Sequence, residues 1–512
     1  MSIAKTLLKG SFLRVIETIV AIAVGFFLLP FMVQQLGTEL YGIWILIGSI
    51  TASLYLFDFG FATAVTRYVA GYIGTQEHNK VNQVISSSLI IYSALALLIC
   101  IITVIISLIS PYWVENTEFE STIQLLILIT GFSIAIEFPF KAFAGIATGY
   151  LRYDLLSISR IIVKLLNAGL TIYVLINTKD LILVALVNLL TSIISNIIFF
   201  LISKYLFKQL SIRPKHISKL TIKSLFNYSS WAFLIDITRL LKERSAIYFI
   251  AAILNPSILT VYYTALRLVE YAIQLLTQAT NITTPLFSRY HANNDFKELR
   301  EKLTIFTRIN FVFASFTICF FFLLGFDLIE LWMGKDFDNS TASRILNIAI
   351  AGKLVTVITS PVSSAIMAMG KPRYLAQMGI FEAALALLLT YIFLVHLDMG
   401  ATGVAIGMTI PFYLTRPLLM VSFACKKIDM PLRSYYRPLL APLVFLSVFI
   451  SLADFIISHI NLSNELLNFL LIASGLSLAF WLLAPFIMTK DEKLVVQDLL
   501  PGKLKKVIGL YL

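Results

Sequence analysis

The sequence predicts an all-α polytopic membrane protein, with about 14 transmembrane helices in two six-helix pseudo-symmetric lobes plus two C-terminal helices. Three observations carry that expectation. Hydrophobic residues make up 59% of the 512, charged residues only 13%, and the mean hydropathy is +0.88; soluble domains are about 25% charged. Apolar stretches of about 20 residues, the length that crosses a hydrocarbon core as helix, recur from end to end. The second half also repeats landmarks of the first at a shift of about 221 residues.

The expected spans are 12–33, 42–66, 83–110, 121–148, 154–177, 181–203, 225–254, 259–287, 303–325, 342–369, 374–397, 402–425, 436–459 and 464–488. The first is long, holds Arg14 and Glu17, and ends at no small-residue cleavage site, so it reads as a retained span rather than a signal peptide. The longest connection follows span 6 and is basic, with Lys204, Lys208, Arg213, Lys215, Lys219 and Lys223. The chain accordingly divides into an N-lobe (1–203), a basic cytoplasmic linker (204–224), a C-lobe (225–425) and a C-terminal part with spans 13 and 14 and a basic tail (426–512).

The net charge of +12 resides mostly in short loops. Those after spans 2, 4, 6, 8, 10 and 12 carry Lys or Arg, among them Arg67, Arg152, Arg289, Lys371 and Lys426, whereas the alternate loops are poor in both and sometimes acidic, as at Glu115 and Glu118. The positive-inside rule places both termini in the cytoplasm and explains the basic balance without nucleic acid. Cys100, Cys319 and Cys425 have neither disulfide nor metal spacing and read as small packing residues.

The repeat rests on three landmarks. Arg67-Tyr68 matches Arg289-Tyr290, Pro139 matches Pro361, and the Gly149 to Tyr153 turn matches Gly370 to Tyr374. A six-span unit returns the chain to the same side of the membrane. The halves are thus expected to share orientation about a pseudo-twofold axis along the membrane normal, with a cleft between them.

Ionisable residues inside the spans are the functional signal. Span 7 holds Asp236, Arg239, Lys242, Glu243 and Arg244. Each costs roughly 2.5–3.5 kcal/mol at mid-bilayer, so five facing lipid would cost on the order of 12–17 kcal/mol. They must face one another or water. An ion-paired seam and a polar lining both satisfy that requirement, since Asp236–Arg239 and Arg239–Glu243 are at pairing distance on a helix. Span 8 carries Arg267, Glu270, Gln274, Gln278 and Asn281 along one face, either a wet wall or a set of interhelical hydrogen bonds.

Span 1 adds Arg14 and Glu17, and span 5 adds Arg160 and Lys164 beside Asn167. Arg14 and Arg160 either line the same space or snorkel to the cytoplasmic surface. Glu137 and Lys141 of span 4 are four residues apart and are expected to neutralise each other. A cavity shared by spans 1, 5, 7 and 8 would be net cationic, and its natural occupant is an anion, with forked arginines suiting phosphate.

Gly37-Thr-Glu-Leu-Tyr-Gly42, Phe57-Asp-Phe-Gly60 and the Arg67-Tyr68 exit, together with the topology and repeat, resemble the polysaccharide-transporter family. Its O-antigen flippases belong to the multidrug/oligosaccharidyl-lipid/polysaccharide exporter superfamily. The resemblance implies a multi-pass protein of the bacterial inner membrane, working in lipopolysaccharide or other polysaccharide biosynthesis. Its cargo would be an undecaprenyl-pyrophosphate-linked oligosaccharide, moved from the inner to the outer leaflet by alternating access. Membrane lipids surround it, and a polysaccharide polymerase and a chain-length regulator are the implied partners.

On that view Lys164, Arg239, Arg244 and Arg267 contact headgroup phosphates, with Lys242 extending the basic face, and Arg14 and Arg160 lie near the inner entrance. Gln274, Gln278 and Asn281 would meet sugar hydroxyls, while Asp236, Glu243 and Glu270 are candidates for H+ or Na+ coupling. No nucleotide-binding G-x-x-x-x-G-K-[ST] run exists, and no cofactor is expected. The rivals are a lipid II flippase and a cation-coupled multidrug exporter of the same superfamily. A membrane-embedded polysaccharide polymerase is disfavoured by short extracytoplasmic loops and five scattered histidines.

Overall fold

The computed structural model describes the backbone of residues 3–113, 119–280, 283–459 and 465–499, with their side chains except at 3–8, 112–113, 227–236, 238–239, 243, 278–280 and 498–499. Among these residues every regular element is a helix. Helix is the form in which each backbone N–H and C=O finds its partner within its own segment, as a lipid environment demands. Among the described residues, eleven helical stretches are long and apolar enough to cross a membrane. The first, Lys9–Asp58, is a 50-residue run that contains predicted span 1 and the first part of span 2, whose remainder continues into the helix that starts at Phe61. The described helices of spans 7 and 8, Lys219–Ile253 and Pro256–Thr280, are not among these eleven. Phe12, Phe27, Leu108, Phe455 and Phe486 point outward as exposed apolar surface, which suits lipid rather than water.

The chain divides into two compact units, Met1–Thr260 and Val261–Leu512. The first contains α1 (Ile3–Ser53), α2 (Phe61–Gly74), α3 (His78–Ile109), α4 (Glu120–Phe140), α5 (Ala144–Gly149), α6 (Tyr153–Asn177), α7 (Leu181–Leu206), α8 (Lys219–Ile253) and the start of α9 (Pro256–Thr280). Helix α8 joins this unit by packing on α1, α2 and α3.

The family-like motifs have physical roles here. α1 breaks at Gly37, whose φ of 80° and ψ of 167° would strain any L side chain. Gly42 is needed for proximity instead: a Cβ there would lie 1.9 Å from the Pro256 carbonyl oxygen. After a 3-10 turn at Leu54–Asp58, Phe59 and Gly60 take left-handed conformations, with φ of 47° and 78°. The Asp58 Oδ1 then accepts from the Ala62 backbone N–H at 2.9 Å and fixes the start of α2. Phe61, Val65, Ile85, Tyr92 and Phe138 form the buried core beneath that turn.

The second unit continues with α10 (Thr283–Ala292), α11 (Phe296–Met333), α12 (Asn339–Ile358), α13 (Ser360–Ala368), α14 (Pro372–Tyr391), α15 (Gly400–Leu414) and α16 (Val421–Lys427). It ends with α17 (Leu432–Tyr436), α18 (Leu440–Ile457), α19 (Glu465–Ile487) and α20 (Lys490–Leu499). α18 and α19 pack on α11 through an aromatic cluster in which Phe480 meets Phe316 at 5.3 Å and Phe449 at 5.2 Å between ring centroids.

The duplication is visible in each unit separately. The pairings α3–α4, α4–α7, α6–α7 and α2–α5 recur as α11–α12, α12–α15, α14–α15 and α10–α13. Gly131 of α4 and Gly352 of α12 hold the same place in the repeat and both are close-packed, although on non-equivalent partners, Thr103 of α3 and Thr409 of α15. Asn82 ties the start of α3 to the loop after α7 by donating to Gln209 O at 2.9 Å. Arg300 does the same for α11, donating to Ile428 O and Asp429 O at 3.0 Å. The matched prolines also disrupt matched helices: α4 gives way to a 3-10 turn just after Pro139, and Pro361 opens α13 after a break at Thr359.

Candidate functional site: a polar cavity in the first unit

A polar cavity lies among α4, α6 and α7. On α6, Arg160, Lys164 and Asn167 are spaced by four and three residues and share one face. On α7, Asn188, Thr191, Ser192, Ser195 and Asn196 recur with the same helical period and face them. Glu137 of α4 completes the wall, and the cavity, open on one side, measures about 370 Å³. Asn167 Nδ2 donates to Asn188 Oδ1 at 2.6 Å and to Thr191 Oγ1 at 2.9 Å, so one wall of the cavity is a cross-braced amide pair.

The polar line extends along α1. Arg160 Nη1 donates to Glu17 Oε1 at 3.4 Å, and its guanidinium lies 5.7 Å from the Phe199 ring centroid. Further along, Arg14 stacks on Tyr153 at 4.5 Å. From Tyr153 to Asn167, α6 therefore carries polar groups over roughly 20 Å of axial rise. That is about two-thirds of a hydrocarbon core. Arg160 faces Glu17 and the cavity.

A second polar cluster sits where α1 meets α4 and α8. Tyr55 donates its hydroxyl to Glu137 Oε2 at 2.7 Å, and Lys141 pairs with Asp58 at 2.7 Å. The expected Glu137–Lys141 pair is not what forms. The 3-10 turn that follows Pro139 begins at Lys141, so the residue no longer stands one α-turn above Glu137, and each finds its partner on the Tyr55–Asp58 turn. The Lys141 ammonium also lies 4.2 Å from the Phe138 ring centroid. On α8, Arg244 donates to Ser49 Oγ at 3.4 Å, and Tyr248 donates to Ser49 O at 2.8 Å.

The other expected residues are distributed as follows. Lys164 lines the cavity. Lys242 is half-buried on α8. In the second unit, Arg267 donates to Tyr263 Oη from Nε at 2.7 Å and to Glu270 Oε2 from Nη1 at 2.8 Å, forming a self-contained group on α9, and Gln274 is exposed two turns on. The side chains of Asp236, Arg239, Glu243 and Gln278, and all of Asn281, lie outside the described residues. Among the described residues no cluster of three His, Cys, Asp or Glu is placed to hold a metal ion.

The α7 face was not among the residues expected from sequence. Its signal was present: Asn188, Thr191, Ser192, Ser195 and Asn196 sit at i, i+3, i+4, i+7 and i+8 in an otherwise apolar helix. Attention to charged residues alone passes over such a neutral polar stripe.

Among the described residues, a duplicated set of helices with outward apolar faces defines a multi-pass membrane protein. The chain belongs to the polysaccharide biosynthesis protein family, whose model matches residues 31–342. It is 24% identical over 425 residues to a Shigella flexneri protein named as an O-antigen transporter, covering 82% of this chain and 97% of that one. Its fold is similar to the lipid II flippase MurJ in an inward closed conformation, with a TM-score of 0.67, 17% identity, and 94% and 99% of the two chains covered. It is also similar to an inward-facing multidrug resistance MATE transporter of the MOP superfamily, with a TM-score of 0.62, 15% identity, and 84% and 95% covered. These relatives and folds are those of transporters, not enzymes.

Proposed function

We propose that the chain is a flippase that moves a lipid-linked oligosaccharide, carried on undecaprenyl pyrophosphate, from the inner to the outer leaflet of a bacterial cytoplasmic membrane. The observation that carries this reading is the polar line from Arg14 to Asn167, opening into a cavity lined by amides and hydroxyls. A saccharide headgroup needs such partners at membrane depth, because hydroxyls stripped of water without replacement bonds cost several kcal/mol in total. The prenyl tail needs none and stays in lipid.

Arg239, Lys242, Arg244 and Arg267 are assigned to the pyrophosphate, and Gln274, Gln278 and Asn281 to further sugar hydroxyls. Alternating access of the two duplicated halves supplies the movement, with Asp236, Glu243 and Glu270 as the groups that would exchange H+ or Na+. Both termini are assigned to the cytoplasm by the basic loops. The alternative of an organic-cation exporter fits less well, since the cavity carries no acidic excess: Arg160 and Lys164 stand against Glu137 and Glu17.

The test is reconstitution in vesicles containing a fluorescent undecaprenyl-pyrophosphate oligosaccharide, with a membrane-impermeant quencher reporting leaflet. Protein-dependent transfer of that lipid, faster than transfer of labelled lipid II, is expected. Transfer no faster than in protein-free vesicles overturns the reading, and equal or faster transfer of lipid II reassigns the cargo.

A further inference from the structure

The geometry points to the α4/α6/α7 cavity as a subsite that holds one neutral pyranose ring of the cargo, rather than its phosphates or a coupling cation. The inference rests on the proposed function and specifies what this part of the molecule recognises. Four observations support it.

The first is charge. Arg160 and Lys164 face Glu137 across the cavity, and Glu17 lies 3.4 Å from Arg160, so two positive and two negative groups cancel. A cancelled field favours neither an anion nor a cation. The second is the chemistry of the remaining wall. Asn167, Asn188, Asn196, Thr191, Ser192 and Ser195 offer both donors and acceptors, the pairing that a sugar hydroxyl requires because it is itself both.

The third is an unmet donor. Asn196 is 5% exposed, lines the cavity, and its Nδ2 has no hydrogen-bond partner. A buried amide left unpaired costs about 1–3 kcal/mol, so a ligand acceptor at that place is favoured by the fold itself. The fourth is size and shape. About 370 Å³ lies at the small end of ligand sites. It has room for roughly a dozen waters, of which one sugar ring displaces about half. Phe199 adds apolar surface to the wall, as the C–H side of a pyranose requires.

The experiment uses the full chain in lipid nanodiscs with methyl β-D-glucopyranoside, N-acetylglucosamine, glucuronate and glucosamine as probes, read by saturation-transfer NMR. A neutral ring is expected to bind, with glucuronate and protonated glucosamine no tighter than threefold better. Asn196→Leu and, independently, Ser195→Ala are expected to weaken the neutral ring at least tenfold and threefold respectively, in protein whose melting profile matches wild type. Absence of any neutral-sugar signal, a tenfold preference for either charged analogue, or unchanged affinity in a folded Asn196 variant overturns the inference.

The vesicle assay separates its failure from that of the wider reading. If wild type moves the lipid-linked oligosaccharide and folded Asn196→Leu moves it equally fast, the subsite assignment fails and the flippase stands. If wild type moves none, the flippase reading fails and the subsite inference falls with it.

Discussion

Glu17 of α1 and Arg160 of α6, 143 residues apart in sequence, meet at 3.4 Å at the edge of the polar cavity. Arg160 is 53% exposed there and Glu17 22%, so the pair is not locked in a closed seam. Such a pair contributes little to stability, about 1 kcal/mol or less. Arg160→Gln should therefore shift the melting midpoint by no more than about 2 °C. Transport should fall at least tenfold in the same protein. A large melting shift with intact transport would make the pair a structural brace.

Lys141 and Asp58 behave differently because they are mostly buried, at 17% and 13% exposure. Removing one partner strands the other's charge, a loss of about 3–5 kcal/mol in a buried pair. Lys141→Met should be markedly less stable than the Lys141→Met/Asp58→Asn double variant in a denaturation series. Equal stability of single and double variants would show that the ammonium–ring contacts, rather than the carboxylate, hold Lys141 in place.

The duplication was legible because its landmarks are backbone necessities: Pro139 and Pro361 interrupt equivalent helices, and the turns beginning at Gly149 and Gly370 leave them. Hydropathy likewise marked the helices, since length and apolarity are what a bilayer selects. The cavity was only half legible. Arg160 and Lys164 stood out by charge, but their facing wall is neutral, and charge-based reading has no purchase on Asn188 or Ser195. The Glu137–Lys141 pairing failed for a specific reason: helical spacing implies a neighbour only while the helix continues, and it gives way to a 3-10 turn at Lys141.

Close packing at matched glycines gives a prediction for both halves. A Cβ on Gly131 would come 2.3 Å from Thr103 Cγ2, and one on Gly352 the same distance from Thr409 Cγ2. Gly131→Ala and Gly352→Ala should each destabilise by about 1–3 kcal/mol through overpacking. Adding Thr103→Ala or Thr409→Ala, respectively, should recover at least half of the loss in a thermal melt. Failure of both rescues would place the glycine requirement elsewhere in the backbone.

At the far end of the chain, Arg308 of α11 pairs with Glu492 of α20 and also donates to the carbonyls of Pro438 and, at 2.7 Å, Ile487. Both side chains are buried, at 8% and 1% exposure. One guanidinium thus fastens α20 against the α18–α19 pair. Arg308→Lys should not substitute, because an ammonium cannot span these acceptors in one plane. Limited trypsin digestion should cut at Lys490 or Lys493 at least tenfold faster in Arg308→Lys and in Glu492→Ala than in wild type. Unchanged cleavage would show that α20 is held by other contacts.

Water and cargo reaching the α4/α6/α7 cavity can be read from a single thiol. In a background with Cys100, Cys319 and Cys425 replaced, the thiol introduced by Ser195→Cys is treated with a membrane-impermeant maleimide, with and without lipid-linked oligosaccharide. Labelling that the oligosaccharide slows at least fivefold is the predicted result. A thiol that never labels, or that labels equally in the presence of the lipid, would contradict a hydrated cavity occupied by the transported sugar.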